Sequence, residues 1–108
     1  MEARLTRLVK SEWETALLVC AKCSKRLDGG FGKKGKQRLA KALKAYLGVK
    51  RFRKARIGVV EVKCLGVCPR GAVTVVNAAD PTRWRLVARG ADLRDVAAEL
   101  GVGPQAAA

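Results

Sequence analysis

Two apolar spacings divide this chain. Short runs of mainly branched residues occur at Thr15 to Val19 (TALLV), Ile57 to Val62 (IGVVEV) and Ala72 to Val76 (AVTVV); each is too short for a buried helix and predicts a strand. Trp84 to Ala88 (WRLVA) alternates apolar with polar residues and predicts a fourth, half-exposed strand. Helical spacing governs Lys36 to Leu47, where Leu39, Leu43, Tyr46 and Leu47 share one face and Gly48 supplies the stop. It returns after Asp92, a capping residue followed by Leu93, Val96, Ala97 and Leu100 and closed by Gly101. Leu5, Leu8, Val9 and Trp13 recur at helix-like spacing between Arg4, Arg7 and Lys10, which predicts a short amphipathic arm over residues 1–14. The glycine-rich, polar stretch Ser24 to Gly35 reads as loop, and Asn77 to Thr82 as a turn. One domain over residues 15–101 follows, with residues 102–108 as a flexible tail.

In chain order the expected elements are β-α-β-β-β-α. A right-handed strand-helix-strand unit makes the first two strands parallel, and the tight turn at Asn77 to Thr82 makes the last two antiparallel. The result is an α/β domain with a four-stranded mixed sheet, similar to the thioredoxin-like plan without its middle helix. Connections leaving the first two strands emerge at the same end of such a sheet. Each of those strands runs into a cysteine pair, Cys20/Cys23 in CAKC and Cys64/Cys68 in CLGVC, so the pairs become neighbours across the 40 residues that separate them.

Composition narrows the chemistry. At 108 residues the chain forms one modest core, and no apolar run approaches the roughly 20 residues that span a bilayer. Acids at Glu2, Glu12 and Glu14 break the N-terminal stretch that a secretory signal would keep apolar, which places the protein in the cytoplasm with its thiols reduced. A CxxC and a CxxxC in that compartment point to metal or redox chemistry. With no histidine in the chain, mixed cysteine-histidine zinc sites and histidine acid-base catalysis are excluded. Four thiolates at one end of a sheet suit either a tetrahedral zinc or a [2Fe-2S] cluster. A plain dithiol at CAKC expects a full helix behind it, whereas Gly29 and Gly30 leave room for about one turn. The acids Asp80, Asp92, Asp95 and Glu99 are scattered and have no paired base or nucleophile, so no enzyme is expected.

The net charge is +14, and no acid stands between Asp28 and Glu61. That field attracts an acidic redox partner or, as the weaker expectation, nucleic acid, on which Tyr46 and Phe52 could stack. Gly30 to Lys36 also spells GxxxxGK. A phosphate loop, however, must join strand directly to helix, and Gln37 stands where a magnesium-binding hydroxyl would be, so the stretch reads as a mobile loop covering the cysteine site.

The segments LLVCAKC and VKCLGVCPRGAVTVV, with the glycine loop and helix between them, resemble the thioredoxin-like [2Fe-2S] ferredoxins and a related group of small metal-binding proteins with CxxC and CxxxC pairs. The resemblance covers roughly Ala16 to Leu100. It implies a one-electron carrier or cluster carrier, with Cys64 and Cys68 as one ligand pair, Cys20 as the first ligand and Cys23 as the candidate for the fourth. It further implies Gly66 and Gly71 admitting backbone close to sulfur, and Lys22, Lys63 and Arg70 favouring the reduced state. A homodimer is expected by the same analogy. The alternative from a different class is a zinc-stabilised basic domain that binds nucleic acid.

Overall fold

The computed structural model describes residues 8–49, 54–67 and 69–102. Four strands, β1 (Thr15–Cys20), β2 (Ile57–Val62), β3 (Ala72–Asn77) and β4 (Arg85–Ala88), form one mixed sheet in the order β2-β1-β3-β4. β1 and β2 are parallel, while β3 is antiparallel to both β1 and β4. A parallel pair cannot be joined by a hairpin, and the crossover from β1 to β2 carries two helices, α1 (Ala21–Leu27) and α2 (Leu39–Leu47). A last helix, α3 (Leu93–Glu99), follows β4. The four expected strands and both expected helices are therefore present, together with one further α-helix among the described residues.

That further helix corrects the loop expected from Ser24 onward. Residues Ala21 to Leu27 contain no glycine or proline, and Ser24, buried, ties its Oγ back to the Cys20 carbonyl at 2.9 Å. The helix ends only where Asp28 adopts a left-handed conformation (φ 53°) and donates its N–H to Ser24 and Lys25. α2 begins at Leu39 rather than Lys36 because Gln37 is held in extended backbone, exchanging N–H···O bonds of 2.8 and 3.0 Å with Phe31. Gly48 closes it with φ 70°, as the pattern required.

Alternation along the strands separates two faces. Leu17, Val19, Val59, Val73, Val75 and Val87 pack with Leu39 and Leu43 of α2 and with Val96 and Ala97 of α3 in a single core. Val102 also belongs to this core, so the packed domain reaches one residue past its expected end. Leu18, Val60, Val76 and Leu86 point the other way and lie outside the core cluster. Residues 8–13 of the expected arm have no regular structure; residues 1–7, Lys50 to Arg53, Cys68 and residues 103–108 lie outside the described residues.

Candidate metal centre

Cys20 is the last residue of β1 and pairs with Val62, the last of β2, so the two cysteine loops start side by side. Cys20 also serves as the N-cap of α1, its Sγ accepting the Cys23 N–H at 3.5 Å. The two-residue spacing of CxxC places Cys23 at the third helical position, one turn along and over the same spot. Both side chains are essentially inaccessible.

The second loop closes over this pair. The Lys22 N–H donates to the Lys63 carbonyl at 3.2 Å, and the Leu65 N–H reaches the Cys20 sulfur. The Cys23 thiol donates to the Val67 carbonyl at 3.6 Å, and the same carbonyl accepts the Thr74 hydroxyl at 2.8 Å. Thr74 is fully buried within β3 and stands in contact with Cys23 as well. The expected meeting of the CxxC and CxxxC loops thus occurs, through backbone as much as through sulfur.

The thiols are not equivalent. Burial pushes the Cys20 thiol up, but N–H groups of Cys23, Leu65 and Lys22 and the Cys23 thiol together outweigh it, so its pKa falls below the ordinary thiol value. Burial is also the largest influence on Cys23 and pushes its thiol up; contact with Cys20 adds to the rise, against hydrogen bonds from Thr74. Cys64 is exposed, and its Sγ accepts the Gly66 N–H at 3.3 Å, a contact that Gly66 permits at φ 88°. Among the described residues no three metal-ligating side chains are gathered tightly enough to hold an ion. Cys20 and Cys23 meet; Cys64 stands on the solvent side of the same loop contact, and Cys68 lies outside the described residues. A hollow of about 230 Å3 beside Cys23 is rimmed by Arg26 and Arg70, and no acid lines it.

Sequence reasoning overlooked Ser24 and Thr74, the two buried polar side chains among the described residues, which fix the Cys20 carbonyl and the Val67 carbonyl. The available signal was a lone hydroxyl inside the apolar run AVTVV. The glycine loop also departs from expectation: instead of covering the cysteines, Gly30 to Gly35 lies against α2 and the start of α3, bordering a cleft of about 880 Å3 with Tyr46 and Arg94. α1 intervenes between β1 and this loop, so it does not have the strand-to-helix form of a phosphate loop. Among the described residues no helix is long and apolar enough to cross a membrane. Comparison of the chain with family models, with curated proteins and with solved structures finds no match in any of the three.

Proposed function

We propose that Cys20, Cys23, Cys64 and Cys68 together hold a [2Fe-2S] cluster, and that the protein carries one electron, or the cluster itself, between larger partners. The observation that supports this most is the direct contact of the two cysteine loops, Lys22 to Lys63, Leu65 to Cys20 and Cys23 to Val67. A four-thiolate site split across 40 residues needs that contact. The strand order β2-β1-β3-β4 with one parallel crossover also agrees with a thioredoxin-like arrangement.

The donor set fits the cluster's chemistry in kind: soft thiolate ligands, amide donors aimed at sulfur, and water excluded from the inner pair. Ligation by all four would require the Cys64 side chain to leave the Gly66 amide and turn toward the buried pair. The cluster, when bound, supplies one-electron redox chemistry. The chain's own contributions are to shield Cys20 and Cys23, to raise the potential through N–H donors, and to present the cationic rim of Arg26 and Arg70 to an acidic partner. Cys64→Ser and Cys68→Ser should each abolish visible absorbance of protein purified without air. A wild-type spectrum from Cys23→Ser would remove Cys23 from the ligand set.

One observation favours a second reading. Cys20 caps a two-turn helix, and the unequal thiols of Cys20 and Cys23 are in contact, which is the arrangement of a dithiol that cycles through a disulfide. In that case Cys20→Ser alone eliminates redox titration of the protein, while Cys64→Ser leaves it intact.

A further inference from the structure

We propose that the cleft between the glycine loop, α2 and the start of α3 binds single-stranded nucleic acid, seating one base against Tyr46 while Lys33 and Arg94 hold the phosphates beside it. None of its lining residues belongs to either cysteine loop, so this is independent of the metal centre.

The cleft is built before any ligand arrives. Its volume of about 880 Å3 falls within the roughly 300–1,000 Å3 of ligand pockets, and it is open to solvent rather than enclosed, as a chain passing through requires. Phe31 anchors the loop wall in the core, and the Gly30 N–H donates to the Gly35 carbonyl at 2.8 Å. Gly32, at φ 68°, leaves the space that the Gln37 Oε1 takes up, and a Cβ there would collide with it. The Gly90 N–H, donating to the Gly30 carbonyl at 2.8 Å, ties this wall to the turn that leads into α3. A wall held in place loses little conformational freedom on binding.

Each wall brings one of the groups that a base and its phosphates need. Tyr46 of α2 is half-buried, packing against the core and bordering the cleft. The loop supplies Lys33 and the start of α3 supplies Arg94, both exposed. The charge continues past the lining: Lys34 and Lys36 follow in the loop, and Lys41 stands one helical turn before Ala45, a lining residue of α2. Among the described residues none of these five cations joins an ion pair, whereas Arg38, Arg56, Arg83 and Arg85 each face an acid elsewhere. Asp92 is the one acid in the described lining, and its Oδ1 accepts the Arg94 N–H at 2.8 Å as the cap of α3. A net charge of +14 draws any polyanion toward the chain; an aromatic wall among unpaired cations suits one that alternates bases with phosphates. In a duplex the base would be stacked on both sides and out of reach of Tyr46. Carboxylates of an acidic peptide would use the cations and gain nothing from stacking.

Fluorescence anisotropy with a labelled oligothymidylate of about 12 nucleotides tests this on the full chain purified without air, beside an abasic strand of equal length. The wild-type chain should bind the thymidylate strand at least about fivefold more tightly than the abasic one, a preference that Tyr46→Leu removes and Tyr46→Phe keeps. Lys33→Gln and Arg94→Gln, at exposed positions that leave the core intact, should each weaken binding about threefold or more. Each should also reduce the slope of log affinity against log salt by about 0.7. Lys54→Gln removes the same charge outside the lining and should change affinity by less than about twofold. Absence of binding, equal affinity for the two strands, a preference retained in Tyr46→Leu, or a loss in Lys54→Gln as large as in Arg94→Gln overturns the proposal. Displacement of the strand by polyglutamate at matched charge also overturns it, and would assign the cleft to an acidic protein segment.

Discussion

Cys64 and Cys23 show how far a cysteine's position in the sequence falls short of its environment. Both stand in short-spaced pairs, yet Cys23 is shielded beneath the Val67 carbonyl and Cys64 faces solvent on Gly66. In metal-free protein, iodoacetamide should therefore modify Cys64 at least about tenfold faster than Cys20 or Cys23, as peptide mass spectrometry would read; comparable rates would mean that the loop does not close over the pair. Thr74 was legible only as an oddity, a hydroxyl among valines, because nothing in the local pattern says that its partner is a carbonyl seven residues upstream. Thr74→Val keeps the shape and removes that bond. It should cost about 1–2 kcal/mol in urea denaturation, and an unchanged midpoint would show the bond to be dispensable.

At the scale of elements, the pattern was most reliable where packing repeats over several residues. β2 has the expected bounds because IGVVEV is apolar and closed at Lys63, and α2 ends at Gly48 because only glycine takes its left-handed conformation cheaply. α1 was missed because its signal is a cysteine cap and a buried serine, neither of which carries helical periodicity. The late start of α2 was missed for a similar reason, since the bridge between Phe31 and Gln37 is a tertiary contact inside what reads as loop. Phe31, 2% exposed, belongs to the core and pins the glycine loop, and the Gly90 N–H to the Gly30 carbonyl (2.8 Å) joins that loop to the turn before α3. Phe31→Ala should cost about 3–5 kcal/mol, measured by thermal or chemical unfolding; a loss under 1 kcal/mol would restore the mobile loop that the glycines suggested.

For the whole molecule, the meeting of the two cysteine loops was legible because topology alone implies it: parallel β1 and β2 deliver their C-terminal ends together. The set of residues able to ligate was not legible, since it depends on which side of the loop contact each thiol occupies. The positive charge is also less bare than its run of residues suggests, with Arg38 paired to Glu61 at 3.3 Å and Arg56 to Glu14 at 3.0 Å. These exposed pairs contribute little to stability but lower the density of free cations available to a polyanion. The central claim is a four-cysteine [2Fe-2S] site, and iron, acid-labile sulfide and zinc analysis of protein purified without air tests it most directly. About two irons and two sulfides per chain, lost together in Cys64→Ser, is the predicted result. Stoichiometric zinc, or no metal at all in a colourless protein, would contradict it.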